Sequence, residues 1–501
     1  MKNETWVLAT LPEGRTIVEN RWIFSIKQGH KDVPTRYKAR LVAKGYTQEY
    51  GVDYEETFAP VVKYSTIRTM LGLVAVHDLE ILQLDVKTAF LYGELSEEIY
   101  MSQPEGFIMP GHEDKVCRLK KCIYGLKQAP RVWNAKFNQF ILDFDFVRSL
   151  ADPCICYRRR GEEEMTMMTI FVDDGLICCN EKKTMQVIIE HIKKHFEIRT
   201  MVADRFLGLE ISRNRSKKEL YVTQPRFIEN LLKKFRMQNC SPKSIPADPH
   251  TRLTKEMSSK SEQESMDMKK IQYKKAVGSL LDLTTTTRPD IAYAVGQVSQ
   301  FSENPGNGHW NGVKRILAYL AGTSHFGIRY RKEHSQHLLG FSDADFGGDM
   351  EKRRSTTGYV FLHCAGPIIW SSRKQTCTAL STTEAEFIAG CESSKEAIWI
   401  ARLLKEIAKE DPIPVQLFCD NQSAIRLVKN PEFHQRTKHI DIKYHFIRDQ
   451  QANGIIDATY VNTTNQLADI FTKPLEMSRF ESLLIKIGIV DLGASQFEGR
   501  C

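Results

Sequence analysis

The spacing of apolar positions changes several times along the chain, and each change predicts an element. In residues 36–42 the cations Arg36, Lys38 and Arg40 fall at every second position, so a strand there puts three positive charges on one face. Residues 79–90 alternate too: Ile81, Gln83 and Asp85 share one face and Leu82, Leu84 and Val86 the other, with Asp85 ending the strand. Two apolar runs within residues 165–179 flank Asp173-Asp174-Gly175, which predicts a hairpin whose tight turn is supplied by Asp-Gly. Residues 241–272 carry Pro242, Pro246 and Pro249, six serines and no aromatic residue, and predict a flexible linker. Helical spacing follows at 289–302 and 310–320. From Leu338 onward the pattern reads three strands, helix, strand, helix, strand, helix, with strands at 357–363, 368–371, 415–419 and 455–461 and helices at 382–409, at 422–429 and from Gln466.

Composition narrows the class. A length of 501 residues implies about three or four domains at roughly 100–200 residues each. Hydrophobic residues are 42% and charged residues 26%, which excludes collagenous, low-complexity and wholly disordered chains. No run approaches the roughly 18 apolar residues of a membrane span, and Glu4, Glu13 and Glu19 spoil a signal peptide, so the expected location is cytoplasmic and not secreted. None of the 12 cysteines forms a CxxC pair, and they read as reduced core thiols. The net charge of +8 is uneven: residues 15–44 hold eight Lys or Arg against Glu19 and Asp32, a density suited to a polyphosphate partner as well as to a solvated basic face.

Two groups of acids carry the candidate chemistry. Asp173 and Asp174 have an ordinary reading as turn residues, but between strands so apolar they would lie at the rim of a buried sheet, where a divalent cation offsets their charge. Asp85, at the end of its own strand, supplies a further carboxylate. Carboxylates from two strands can hold a pair of Mg²⁺ ions about 3.5–4 Å apart. The second group is Asp343, Glu384, Asp420 and Asp469, at two strand ends and in two helices. Each has an ordinary alternative: Glu384 as the far half of a Ser-x-x-Glu capping box, Asp420 as a helix N-cap, Asp469 as a surface helix residue.

These segments resemble the copia-type retrotransposon Pol polyproteins. The resemblance rests on RYKARLVAKG (36–45), ETFAPVV (56–62), QLDVKTAFLYG (83–93), YMSQPEGF (100–107), YGLKQAP (124–130) and FVDD (171–174). It continues with SDADF (342–346), RSTTGY (354–359), WSSRKQ (370–375), STTEAEF (381–387), DNQSAI (420–425), HQRTKHIDI (434–442) and ADIFTKPL (468–475), and covers about residues 1–476. It implies an α/β and α+β multidomain chain, with reverse-transcriptase fingers and palm over 1–240, the flexible linker 241–272, a thumb- or connection-like helical region over 273–335, an RNase H-like domain over 336–476 and a C-terminal tail over 477–501.

The same resemblance implies an RNA- and DNA-directed DNA polymerase with ribonuclease H activity. Its partners would be an RNA template, a DNA primer, RNA:DNA hybrid and deoxynucleoside triphosphates. It implies two Mg²⁺ per active site, with Mn²⁺ as a substitute, held by Asp85, Asp173 and Asp174 in one site and by Asp343, Glu384, Asp420 and Asp469 in the other. Asp173 is the stronger ligand and Asp174 the weaker, because adjacent strand residues face opposite ways. Lys38 and Arg40 match residues that grip the triphosphate. Phe90, on the strand just after Asp85, matches the side chain that collides with a ribose 2′-OH. Tyr124 and Gly125 match template and nucleotide contacts.

There are departures from the family pattern. The hairpin begins with Phe171 where Tyr is commoner, and residues 460–465 lack the histidine that cellular RNase H enzymes often carry before the last aspartate. Asp345 is a substitute for Asp343, and His434, His439 and His445 are backbone contacts or solvent-facing residues. No nucleocapsid, protease or integrase signature occurs, so a processed product or a truncated copy is expected. A silent copy that only binds nucleic acid is the alternative.

Overall fold

In the computed structural model the described residues are 3–27, 36–159, 161, 164–332, 337–430 and 438–493. They form two compact units, residues 1–62, 82–177 and 182–201 in one and residues 63–81, 178–181 and 202–501 in the other.

The first unit holds a two-stranded antiparallel ribbon, Asn20–Lys27 with Arg36–Ala43, whose register sets Lys38 opposite Ser25 and Arg40 opposite Ile23. Lys38 and Arg40, two residues apart on one strand, share a face as expected. A six-stranded sheet has the order Ile198–Val202, Glu80–Val86, Asp174–Cys179, Thr166–Phe171, Ile155–Arg158, Val147–Arg148. The hairpin strands Thr166–Phe171 and Asp174–Cys179 are buried along nearly their whole length, which is why their sequences are apolar without alternation. The helix Ala129–Leu142 packs through Trp133, Phe137 and Phe140, all in edge or tilted contact with Phe196 at 4.9–5.7 Å.

Within the second unit the helix Tyr64–His77 is buried from Thr66 to Val76. Its one buried cation is held by backbone: Arg68 donates to the carbonyls of Ile368, Thr285 and Thr286 and stacks on Trp370 at 3.9 Å. Burial pushes its pKa down to about 10. An antiparallel sheet runs Arg205–Phe206, Leu209–Asn214, Glu219–Thr223, Phe326–Arg331, Ile489–Asp491. The last strand and the helix Met477–Lys486, which buries Phe480, Leu483 and Leu484, correct the expected C-terminal tail: an amphipathic helix and a sheet edge need partners. The expected linker also carries structure. It contains the helix Glu262–Ile271 capped by Ser261, buries Ile245 and Met268, and hangs Lys243 N–H on the Ala318 carbonyl.

The C-terminal sheet has the order Gly366–Lys374, Thr356–His363, Leu339–Ala344, Val415–Cys419, Ile456–Tyr460, antiparallel for the first three strands and parallel for the rest. Numbered along the chain from Leu339 this is 3-2-1-4-5, the RNase H-like topology. The 27-residue helix Thr382–Ala408 covers it with Phe387, Ile388, Cys391, Ala397, Ala401 and Leu404, buried at helical spacing. The helix Lys438–Ala452 was hidden from periodicity by its many polar residues, and the segment after Gln466 is a short 3-10 turn, Leu467–Phe471, before the next helix.

Candidate active sites

In the first unit Asp85 is the penultimate residue of Glu80–Val86, and the Val86 N–H donates to the Asp173 carbonyl at 2.7 Å, tying the hairpin turn to the strand end. The turn is Val172-Asp173, with Val172 left-handed at φ +57°, and not Asp-Gly as expected. Trp133 Nε1 holds the strained Val172 by donating to its carbonyl at 2.5 Å. Gly175 instead serves close approach: a Cβ there would meet Leu84 Cδ1 at 2.7 Å, so glycine lets the two acid-bearing strands lie side by side.

Most of the expected polymerase residues converge on the Tyr124 ring. Its hydroxyl lies 3.5 Å from Asp173 Oδ2, its ring meets Phe90 edge-on at 4.7 Å, and the Arg40 guanidinium stands over it at 5.5 Å. Burial raises the Tyr124 pKa, the charges of Asp173 and Asp85 add to the rise, and Arg40 opposes it. Phe90 is buried, in the 3-10 turn Ala89–Tyr92, not on a strand: the chain leaves the sheet after Val86 and reverses at Thr88, φ +52°. Gly125, at φ +95°, is pressed against the ribbon. A Cβ there would lie 2.0 Å from the Ala43 carbonyl, and the Ala43 N–H bonds the Tyr124 carbonyl at 2.8 Å. Lys38 is half-buried on the same ribbon face as Arg40, and Asp174 accepts from Gln83 Nε2 at 3.3 Å.

The second unit gathers acids more tightly. Carboxylate oxygens of Asp343, Asp420 and Asp469 lie within 4.8 Å of one another, and Glu386, Cys419 and Asp420 form an overlapping group of the same size. Asp343 is buried, receives the Thr472 hydroxyl and lies 3.6 Å from Lys473 Nζ. Asp469 is also buried, not a surface residue, and meets Lys473 at 2.9 Å and Arg479 at 3.2 Å. Asp420 accepts the Thr463 hydroxyl at 2.7 Å and is left clear of capping, because Asn421 caps the following helix.

Glu384, expected as a ligand, is corrected. It sits at the third position of its helix, its N–H bonds Ser381 Oγ at 3.2 Å, and its Oε2 reaches back to the Leu380 N–H at 2.7 Å. The Ser381 cap and the return bond to Leu380 hold it there. Glu386, two residues on and therefore about 200° round the helix, hydrogen-bonds Asp343 and faces Asp420. It is the acid that sequence reasoning missed, although the capping-box pattern around Ser381 contained the signal. Asp345 does not replace Asp343; it accepts the Thr356 N–H away from the tight group. His434 lies outside the described residues, as does the side chain of His439, and His445 is exposed.

This cluster fits a divalent cation. Burial, then the charges of Asp343 and Asp420, push the Glu386 pKa well up. Burial and Asp343 raise Asp469 to about 6 despite Lys473 and Arg479. Lys473 resists desolvation and is raised by Asp343 and Asp469, acting as the counter-charge among hard oxygen donors that suit Mg²⁺ or Mn²⁺.

A family model described as reverse transcriptase (RNA-dependent DNA polymerase) matches residues 3–249. The chain is 44% identical over 481 residues to the retrovirus-related Pol polyprotein from transposon TNT 1-94 of Nicotiana tabacum, covering 96% of this chain and 36% of that relative. It is 30% identical over 326 residues to a transposon Ty5-1 protein of Saccharomyces cerevisiae, covering 62% of this chain and 100% of that one. A solved foamy viral protease-reverse transcriptase in complex with RNA/DNA hybrid aligns with a TM-score of 0.43 at 13% identity, over 85% of this chain and 49% of that one.

Proposed function

The chain belongs to the copia-type retrotransposon Pol polyproteins, and from that premise we propose that it is an RNA- and DNA-directed DNA polymerase with a second site that cleaves the RNA of RNA:DNA hybrids. The observation that carries the polymerase reading is the convergence of Asp85, Asp173, Arg40 and Phe90 on Tyr124.

Asp85, Asp173 and Asp174 would hold Mg²⁺, which when bound supplies charge neutralisation for the triphosphate and activation of the primer 3′-OH. Lys38 and Arg40 then bind the triphosphate from the ribbon face, with Arg40 steadied by the Tyr124 ring. The Phe90–Tyr124 pair forms a packed wall that excludes a ribose 2′-hydroxyl, since a buried ring has no room to retreat. Trp133 keeps the strained Val172-Asp173 turn aimed at the same place. Gly125 lets the ribbon dock, so the cations and the acids share one frame.

In the second unit Asp343, Glu386, Asp420 and Asp469 would hold the cation pair that hybrid cleavage requires. Lys473 balances the cluster and Thr472 fixes the Asp343 rotamer. The test is primer extension on an RNA template together with cleavage of a labelled hybrid by the purified chain. Absence of both reactions in Mg²⁺ and in Mn²⁺ refutes the proposal.

A further inference from the structure

A cavity of about 940 Å³ in the second unit lies between the 237–255 segment, the helices Ala292–Ser299 and Asn307–Gly322, and the 345–354 loop. Its size is at the upper end for a small-ligand pocket. Its acids are already satisfied: Asp248 pairs with Arg315 at 3.1 Å, Asp349 with Lys374 at 2.8 Å and Glu351 with Lys255 at 2.9 Å, and Asp345 accepts the Thr356 N–H. Five cations on its walls, Lys243, Arg252, Lys314, Lys352 and Arg354, have no carboxylate partner among the described residues. The floor is apolar, with Val298, Phe301 and Ile316. One end is made by Thr472 and Lys473, the residues that bond Asp343 and Asp469.

An anionic chain that reaches the four acids can therefore continue into a groove of unpaired cations over an apolar floor. We propose that this groove holds the sugar-phosphate backbone of one strand of an RNA:DNA hybrid as it leaves the acid cluster, and that the 237–255 segment is a wall of a binding site instead of a tether. Surplus positive charge selects phosphodiester, and continuity with the cluster selects the hybrid over an unrelated anion. The proposal rests on the ribonuclease reading above.

Lys243→Glu and Lys352→Glu test it, since both side chains are exposed and neither forms an ion pair that the change would break. Binding to the full chain is read by fluorescence anisotropy, in Ca²⁺ to prevent turnover, with a long hybrid and with one too short to enter the groove. In the unsubstituted chain the long hybrid binds more tightly. Each variant is expected to shrink that advantage about tenfold and to lower the log–log salt slope by about one phosphate contact, at an unchanged melting temperature. An unchanged advantage and slope in the doubly substituted chain overturns the proposal. So does weakened binding of poly-glutamate with the hybrid unaffected, which identifies an acidic protein partner. Hybrid binding with the expected slope change, but no cleavage in Mg²⁺ by the unsubstituted chain, removes the ribonuclease reading and leaves the groove standing.

Discussion

Replacing Glu386 and Glu384 separately by Gln distinguishes two acids that lie two residues apart on one helix. Glu386 hydrogen-bonds Asp343 and faces Asp420, so Glu386→Gln removes one charged ligand from a buried set. A ligand worth about 4 kcal/mol at the transition state corresponds to roughly a thousandfold loss of hybrid cleavage at 1.36 kcal/mol per decade. Glu384 serves the helix start, where glutamine keeps the hydrogen bond to the Leu380 N–H and loses only the charge–dipole interaction, about 0.3–1 kcal/mol. Its cleavage rate should stay within about fivefold, a bound set by that same energy. Stability should move the opposite way. Ionised Glu386 is disfavoured in the metal-free fold, so Glu386→Gln should melt higher near neutral pH without Mg²⁺, whereas Glu384→Gln should melt slightly lower. Cleavage of an end-labelled RNA:DNA hybrid under single-turnover conditions, with melting curves of both variants, measures this. Retention of more than about a tenth of the rate in Glu386→Gln, or its collapse in a folded Glu384→Gln, refutes the assignment.

Phe90→Ala should admit ribonucleotides, improving their incorporation relative to deoxynucleotides by at least about tenfold, a shift of roughly 1.4 kcal/mol; unchanged discrimination in competitive primer extension returns Phe90 to a packing role. Gly175→Ala should lower the chain's stability by about 1–3 kcal/mol and reduce extension more than hybrid cleavage, because the new methyl drives into Leu84; denaturant titration with both activity assays checks it. In the absence of divalent metal, stability should fall as pH rises from about 4 to 6, because Asp469 and Asp345 have folded-state pKa values of about 6 against 3.8, so the folded state binds more protons across that window. Mg²⁺ should remove most of that slope in melting curves, and a stability that rises with pH across the window contradicts the cluster electrostatics.

Much of this is legible in the sequence itself. Alternation placed the strand of Asp85 and the cationic ribbon strand, and helical spacing placed the long helix that begins at Thr382, because each buries a single face or stripe. What failed did so where local chemistry and tertiary packing compete. Asp-Gly looked like a turn, but the turn moved to Val172-Asp173 because Trp133 holds it there and Leu84 needs the space beside Gly175. Glu384 and Glu386 are equivalent as letters, and only the cap at Ser381 fixes which one faces the sheet. Proline and serine in 241–272 signalled flexibility, yet Ile245 and Met268 find buried seats. Lys473 could not be assigned from the sequence, since a lysine four residues after an aspartate has the look of a surface ion pair.

The central claim is that the acids around Tyr124 form a working polymerase site, and RNA-templated primer extension by the full chain and by Asp173→Asn tests it most directly. The account predicts Mg²⁺-dependent addition of deoxynucleotides by the unsubstituted chain and at least a tenfold loss in Asp173→Asn, with primer-template affinity within a few fold because phosphate contacts elsewhere supply most of it. No extension by the unsubstituted chain, or undiminished extension by the variant, contradicts it.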